Sequence, residues 1–340
     1  MTHVPVLVER MIEALAPVDG AVVLDGTYGG GGYSRAVLAV ANCTVLAVDR
    51  DPDAMERAWA HAGRDPRLAP APGRFGELDA IARASGHETV DGVMLDLGVS
   101  SFQIDEAGRG FSFMREGPLD MRMEKRGPSA ADAVNRLTEA ELADIFHFLG
   151  EEPKARRLAR SLVHRRKTQS FTTTLDLANF IEGALGGRHG KRTHPATRAF
   201  QGLRMFVNDE TGELVKALLA AERVLKAGGR LVVVTFHSIE DRIVKNFLRA
   251  RSGHSPGVSR HTPDAPAGAA PSFEVLQRKA IEPSEEESDA NPRARSARLR
   301  WALRTDAPAW GGQVEDALRL LDKLGRDFRL PPAAAEFRVE

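Results

Sequence analysis

The chain has 340 residues, of which 42% are hydrophobic, and this length supplies material for about two globular domains. No run of about 18 apolar residues occurs, and charged residues interrupt the N-terminal stretch, so neither a membrane span nor a signal peptide is predicted. The single cysteine, Cys43, excludes an intramolecular disulfide and a multi-cysteine zinc cluster. A soluble cytoplasmic protein with no membrane partner is expected.

The charge is balanced overall but distributed unevenly. The 47 Lys and Arg residues cancel the 47 Asp and Glu residues, yet residues 151–204 hold twelve Lys/Arg and four Asp/Glu, a net charge of 12 − 4 = +8. Acidic residues collect elsewhere, notably in residues 282–289. Such asymmetry predicts one face that binds a polyanion, with a solvated basic helix face as the alternative.

Four short apolar runs predict buried strands. Residues 21–25, 44–49 and 91–96 each end in an aspartate, and residues 229–236 follow an amphipathic stretch at 213–225. Strands that alternate with helix-length intervals are typical of a doubly wound α/β sheet. Two further strand candidates, 273–277 and 297–301, predict a closing hairpin after a Gly/Pro-rich mobile loop at 252–271.

The strand pattern is interrupted between residues 106 and 204, where apolar residues recur at helical spacing. We therefore predict a basic, helical subdomain at 106–204, inserted into a sheet domain formed by 1–105 and 205–340. The insertion follows the carboxyl end of a strand, where open α/β sheets bind ligands.

A glycine-rich turn follows the first predicted strand. Gly29 is the first of four consecutive glycines, and Asp25 lies at the strand end, as the acid of a D/E-x-G-x-G pattern does, so both residues are predicted to bind the cofactor. Glycines permit close approach of the backbone to a ligand, and Asp49 at the end of the next strand can accept hydrogen bonds from both ribose hydroxyls of an adenosine. NAD and S-adenosylmethionine both fit, but Ser34 stands where a dinucleotide motif needs glycine or alanine, which favours S-adenosylmethionine.

Longer strings extend this interpretation along the whole chain. They are HVPVL at 3–7, DGTYGGGGYS at 25–34, DRDPDA at 49–54, DLGVSSFQID at 96–105, RGFSFMREGPLDMRM at 109–123, HPATRAFQGLRMFVNDE at 194–210, TFHSIEDRIVKNF at 235–247 and NPRARSARLR at 291–300. In this order they resemble the RsmH (also called MraW) family of ribosomal RNA small-subunit (cytosine-N4)-methyltransferases.

The resemblance implies a class I S-adenosylmethionine-dependent methyltransferase fold with a helical insertion that helps bind RNA. It implies 16S rRNA of the small ribosomal subunit as partner, with a target cytosine at position 1402 in the P site, and no DNA. The oligomeric state stays open. The family's cofactor-binding positions correspond here to Gly31, Gly32, Tyr33, Asp49, Phe75, Asp96 and Gln103. One departure is that Tyr33 and Gly30 stand where the family commonly has histidine and a basic residue.

Three residues are candidates for catalysis. Asp96 ends its strand where many amino-methyltransferases carry a D/N/S-P-P-Y/F motif, so we expect it, with backbone carbonyls of Gly98 or Val99, nearest the methyl group; capping a helix or binding the cofactor amine is the alternative. His237 follows a strand, and its imidazole can accept a proton; a structural role at the start of a helix is the alternative, and no metal is expected. Asp120 is the third candidate, with an ion pair to Arg122 or Arg126 as its alternative role.

Other residue types separate the possible reactions. C5-methylation of cytosine needs a cysteine nucleophile, and the only thiol, Cys43, is predicted far from Asp96, which favours methylation at nitrogen. The H-x-E and P-C-x-x-C zinc set of a deaminase is absent from the sequence.

The predicted phosphate contacts are Arg156, Arg157, Arg165, Arg166, Lys167, Arg198 and Arg204. A nicotinamide-dependent oxidoreductase and a non-catalytic ribosome-assembly factor remain as rival functions.

Overall fold

The structure is a computed structural model that describes residues 5–188, 193–253 and 270–310. These residues form two compact units, one of 5–98 with 213–310 and one of 99–212. The bounds predicted for the insertion, 106 and 204, fall inside the second unit. Most of the predicted loop at 252–271 and the last thirty residues assigned to the sheet domain lie outside the described residues.

The first unit is built on one sheet of seven strands in the order β3-β2-β1-β4-β5-β7-β6. Its strands are β1 (Val22–Asp25), β2 (Thr44–Asp49), β3 (Leu68–Pro72), β4 (Val90–Asp96), β5 (Leu225–Thr235), β6 (Phe273–Glu274) and β7 (Arg298–Arg304). The first five strands pair in parallel, whereas β7 is antiparallel to β5 and β6. The predicted doubly wound α/β sheet is confirmed, and its strand order reverses direction between β1 and β4.

Two strands differ from the sequence expectation. β3 is not predicted because its residues, Leu68 to Pro72, include two prolines and no β-branched residue. The sheet accepts them because β3 is an edge strand, where a missing N–H donor breaks no central ladder. The strand expected at 273–277 has only two residues in the structure, and these pair with the end of β7.

Helices alternate with the strands of the first unit. The first four are α1 (Val8–Leu15), α2 (Gly32–Val40), α3 (Pro52–Ala62) and α4 (Leu78–Ala84). On one face of the sheet, α1 and α2 bury Met11, Leu15 and Val37 in a cluster that includes Val232 and Val234 of β5. This closely packed apolar layer fixes the position of the central strands relative to α1 and α2.

The second unit is helical, as the periodicity predicts. It contains α5 (Ser101–Asp105), α6 (Ala130–Arg136), α7 (Glu139–Asp144), α8 (Ala155–Arg166), α9 (Thr174–Leu185) and α10 (Ala196–Val207). A π-helical turn at Ile145–Leu149 extends α7 and ends at Gly150, where an added Cβ would lie 2.6 Å from the carbonyl oxygen of Arg198. The unit has its own core of fully buried side chains, among them Phe146 and Phe171.

Three further α-helices lie in the described part of the chain after residue 209. They are α11 (Glu210–Val224), in which the boundary between the units falls, α12 (Ser238–Arg251) and α13 (Glu285–Ala290). Residues Phe247 and Phe273 pack edge to face between α12 and β6, with ring centroids 5.9 Å apart. No helix in the described ranges combines the length and the apolar character that a bilayer crossing would need.

Candidate active site

The candidate site lies at the carboxyl ends of β1 and β4, where the strand order reverses. The turn after β1 is bonded to the end of β4: the Asp96 backbone N–H donates to Oγ1 of Thr27 over 2.6 Å, and the Gly26 N–H donates to the carbonyl of Met94 over 3.0 Å. Open α/β sheets bind ligands in the crevice at this reversal. Thr27 went unnoticed at the sequence level because a threonine in a turn gives no signal of its cross-strand partner.

The glycine turn has a backbone that requires glycine. Gly29 and Gly31 have φ of 52° and 71°, in the left-handed region that side chains disfavour. A Cβ on Gly31 would lie 2.5 Å from the Tyr28 hydroxyl, and one on Gly32 would lie 2.3 Å from Cγ of Pro5. Part of the reason for these glycines is therefore internal packing, which the sequence interpretation attributed entirely to a ligand.

Asp49 occupies the position predicted for a ribose-binding carboxylate. Its Oδ2 accepts the Gly29 N–H over 2.8 Å and its Oδ1 accepts the Asp51 N–H over 2.8 Å, while the residue stays partly exposed. Burial raises the pKa of this carboxyl to about 6, against the lowering effect of the two backbone hydrogen bonds. The carboxylate is thus fixed directly beside the glycine turn.

Two arginines that the sequence analysis did not single out hold the turn from outside. Nε of Arg57 donates to the carbonyl of Gly29 over 3.1 Å, and Nη1 of Arg35 donates to the carbonyl of Gly30 over 2.8 Å. Because these carbonyls are already bonded, the turn is held in one conformation. The only sequence signal was the position of the two arginines on the helices that follow β1 and β2.

Asp25 is predicted to bind the cofactor, but its carboxylate bonds the turn itself. It is only 1% exposed, and it accepts from the Ser34 hydroxyl over 2.6 Å and from the Thr27 N–H over 3.2 Å. Burial raises its pKa to about 6. Its direct partners in the structure are therefore the two ends of the glycine loop.

Tyr33 and Asp96 lie together behind the turn. The Tyr33 side chain is buried, and its hydroxyl donates to the carbonyl of Val6 while lying 3.4 Å from Oδ1 of Asp96. Burial, followed by repulsion from Asp25, raises the pKa of Asp96 well above its ordinary value. A carboxylate with a raised pKa is a better proton acceptor, which suits the role predicted for Asp96.

His237 and Glu240 lie at the neighbouring strand end. The Glu240 N–H donates to Nδ1 of His237 over 3.4 Å, so the imidazole caps α12, and Nε2 lies 2.9 Å from Oε1 of Glu240. The other carboxylate oxygen of Glu240 accepts the Phe236 N–H over 2.9 Å. The negative charge of Glu240 also contributes to the raised pKa of Asp96. Asp241 is paired with Arg300 over 2.7 Å.

Two predicted cofactor residues lie in different units. Phe75 begins a short 3-10 turn after β3, and its Cβ is 3.3 Å from the position of a Cβ added to Gly26, so it borders the turn after β1. Gln103 belongs to the second unit. There its side-chain oxygen accepts the Ser100 N–H over 3.0 Å, which completes the cap of α5.

Asp120 forms the ion pair that was its alternative role. Arg122 donates to both of its carboxylate oxygens, over 2.9 and 2.6 Å. Burial raises the pKa of Asp120, but the bonds from Arg122 outweigh it, and the net pKa is lowered. In the same unit Phe113 packs against Phe200, with centroids 4.7 Å apart. Both arrangements are those of structural residues.

Four of the predicted RNA contacts extend into solvent. In the part of the chain that the structure describes, their side chains have no hydrogen bond or ion pair, which leaves their charges available to a phosphate. They are Arg156, Arg157, Lys167 and Arg198.

The other three predicted contacts are bonded within the second unit. Arg165 donates to both oxygens of Asp176 over 2.7 and 2.8 Å, and its guanidinium stacks 4.0 Å from the ring centroid of Phe171. Arg204 forms the same two-pronged pair with Glu210, and Arg166 donates to a backbone carbonyl. These arginines stabilise the unit, and no local sequence pattern indicates their partners.

The assembled site fits a nucleoside that carries positive charge. It combines a glycine turn at the strand reversal, the Asp49 carboxylate at the end of β2, and the carboxyl groups of Asp25 and Asp96 behind the turn. Glycines and carboxylates at this edge of an open α/β sheet are typical of nucleoside-binding sites. Fold and site together define a class I S-adenosylmethionine-dependent methyltransferase.

Comparison with known proteins agrees with this class. The model of the MraW methylase family matches residues 1–305. Ribosomal RNA small subunit methyltransferase H of Hyphomonas neptunium is 58% identical over 318 residues, which cover 94% of this chain and 93% of that protein. The protein of the same name from Caulobacter vibrioides is 58% identical over 309 residues, 91% of this chain and 97% of the relative. The chain belongs to the MraW methylase family, and its cofactor is S-adenosylmethionine.

Proposed function

We propose that the chain transfers a methyl group from S-adenosylmethionine to the exocyclic N4 of cytosine 1402 in 16S rRNA, at the P site of the small ribosomal subunit. The relatives' name, ribosomal RNA small subunit methyltransferase H, supports the substrate class. The observation that carries the proposed chemistry is the position of Asp96, a carboxylate of raised pKa at the end of β4 and beside the glycine turn.

In this proposal Asp49, the glycine turn and Asp96 have separate tasks. Asp49 binds the ribose, and the glycine turn brings its backbone against the amino-acid part of the cofactor. S-adenosylmethionine supplies an electrophilic methyl group on a sulfonium. Asp96 accepts a hydrogen bond from the target amino group, which orients the nitrogen lone pair in line with the methyl group, and then takes the proton that the product must lose.

Direct transfer to nitrogen is supported by the position of the only thiol. Cys43 is 3% exposed and lies just before β2, at the amino end of that strand. Six strand residues separate it from the carboxyl edge, a distance of roughly 20 Å. Burial also raises its pKa, which disfavours the thiolate that a covalent mechanism at C5 requires.

A label-transfer experiment tests the proposal. Small subunits from cells that lack the enzyme are incubated with the purified protein and S-adenosylmethionine labelled in the methyl group. We expect one methyl group per particle, recovered as N4-methylcytidine at position 1402 by nuclease digestion and mass mapping. Absence of label in rRNA at saturating cofactor, or label at C5 or on another base, would contradict the proposal.

A further inference from the structure

A basic pocket lies on the first unit, between α12 and the β6–β7 edge. It has a volume of about 250 Å³. Its lining includes Lys245, Arg249, Val275, Arg278, Arg300 and Trp301. Four of these are cationic and none is acidic, so the pocket carries an excess of positive charge.

Three of the four cations have no side-chain partner among the residues that the structure describes. Arg300 pairs with Asp241 over 2.7 Å, and its Nη1 donates to the carbonyl of Arg278 over 3.1 Å, which anchors the segment after β6. Within the described ranges, the side chains of Lys245, Arg249 and Arg278 form no hydrogen bond or ion pair. Their charges are uncompensated and face the same pocket.

The pocket is separate from the candidate active site. α12 begins at Ser238, beside the strand end that carries His237, and rises about 1.5 Å per residue. Lys245 therefore lies about 10 Å along the helix from its first residue, and Arg249 about 16 Å. A ligand held by both cations would sit well away from the carboxyl edge of the sheet.

The chemistry of the pocket suits a nucleotide of a longer chain. Val275 and Trp301, both partly buried, supply apolar surface of the kind that a ribose or base can pack against, while the cations suit phosphate oxygens. Lys279, exposed and next to Arg278, carries the positive charge beyond the pocket. A small anion would use one pair of cations, whereas a polynucleotide can use all of them.

We propose that this pocket binds the phosphodiester backbone of the rRNA substrate, as an RNA contact additional to the basic face of the second unit. The proposal rests on the function proposed above, because it takes RNA to be the substrate. It assigns substrate affinity to α12 and the segment after β6, with no part in the transfer step itself.

The test uses the triple variant Lys245→Gln, Arg249→Gln, Arg278→Gln of the full chain. We expect KM for small subunits to rise by about tenfold or more, while kcat at saturating substrate, the Kd for S-adenosylhomocysteine and the Tm stay near those of the unchanged protein. With naked 16S rRNA, the slope of log Kd against log salt should fall by about 2, because each single-strand phosphate contact contributes about 0.7. The control for the single variant Arg249→Gln is Arg64→Gln. Arg64 is an exposed arginine of the same unit, without a side-chain partner in the described residues, and its replacement should change neither KM nor the salt slope.

Three results would overturn the inference. One is a triple variant with unchanged KM and salt slope. Another is normal binding of naked rRNA with weakened binding of assembled subunits, which would make a ribosomal protein the partner. The third is saturable binding of inorganic pyrophosphate that the triple variant loses while RNA binding persists. Failure of the unchanged protein to label rRNA would instead count against the proposed function, so the two failures are distinguishable.

Discussion

The hydroxyl of Tyr33 lies 3.4 Å from Oδ1 of Asp96, although 63 residues separate them in the chain. Tyr33 is on the first turn of α2 and Asp96 ends β4, so the contact joins the glycine turn to the residue proposed to accept the proton. Burial raises the pKa of Tyr33 well above its ordinary value, so the phenol remains neutral throughout the working range of the enzyme.

Removing this hydroxyl should change the pH dependence of the reaction. The hydrogen bond with Tyr33 lowers the pKa of Asp96, against the larger effect of burial. In Tyr33→Phe the pKa of Asp96 should rise, which shifts the acidic limb of the kcat profile to higher pH and lowers kcat at every pH on that limb. Tyr28→Phe, whose hydroxyl lies 3.2 Å from His61, is the matched control. Identical pH profiles for Tyr33→Phe and the unchanged enzyme would show that the contact does not tune Asp96.

Asp96→Asn should separate catalysis from cofactor binding. Loss of a proton acceptor in the transition state lowers rates by roughly 10²- to 10⁴-fold, and we expect a fall of this size in single-turnover methyl transfer with S-adenosylhomocysteine affinity kept within a few-fold. Asp91→Asn, near the opposite end of the same strand, should leave the rate unchanged. A small rate effect combined with a large loss of cofactor affinity would assign Asp96 to the cofactor amine.

Cofactor affinity should depend on pH through Asp49. Its pKa of about 6 means that the carboxylate is largely protonated at pH 5 and ionised at pH 7.5, so affinity for S-adenosylmethionine should increase across this interval. Asp49→Asn should flatten the dependence and weaken binding about 10- to 100-fold at pH 7.5, as expected for hydrogen bonds to a charged acceptor. Titration calorimetry checks both effects. Glu56→Gln, at an exposed position of α3, should bind as the unchanged protein does at both pH values.

The buried carboxyl of Asp25 should make stability depend on pH. In the unfolded chain it ionises near 3.8, and in the folded protein near 6, so between these values the folded state binds more protons and stability falls as pH rises. The change corresponds to at most about 3 kcal/mol. Asp25→Asn lacks this pH-dependent contribution of the carboxyl group. The free energy of unfolding of the variant, minus that of the unchanged protein, should therefore increase between pH 4 and pH 7. Urea titrations at both pH values measure this difference in the free energy of unfolding. Asp19→Asn, at an exposed position, is the control. A difference that does not change with pH would contradict a raised pKa for Asp25.

The basic residues of α8 should divide into two classes. Arg165→Gln removes a two-pronged ion pair with Asp176 and a stacked guanidinium, and should lower the free energy of unfolding by about 1–3 kcal/mol. Arg157→Gln, at an exposed position, should leave stability unchanged and weaken RNA binding, with a shallower salt dependence. Thermal unfolding and filter binding distinguish them. Equal effects of both variants on RNA affinity, without a stability difference, would place Arg165 among the phosphate contacts.

Local sequence patterns were sufficient for the central strands and for the glycine turn. The runs ending in Asp25, Asp49 and Asp96 are buried parallel strands, because continuous apolar runs that end in a polar residue suit a sheet covered on both faces. β3 could not be predicted in this way, since its prolines are tolerated only because it lies at an edge.

The partners of charged residues were harder to predict. Arg165 and Arg204 look like phosphate ligands in the sequence, and only the folded helices reveal that Asp176 and Glu210 neutralise them. The contact between Tyr33 and Asp96 depends on β1 and β4 being neighbours, which no local pattern contains. The apolar pattern predicts which residues are buried, whereas polar pairing depends on distances that arise only after folding.

The prolines of β3 also affect how the molecule behaves in solution. Pro70 and Pro72 lack N–H donors, so one border of the sheet offers an incomplete template to a strand from another molecule. The opposite border is β6, with only two residues, which is too short to recruit a foreign strand effectively. Both margins are therefore poorly suited to the edge-to-edge association through which open sheets aggregate.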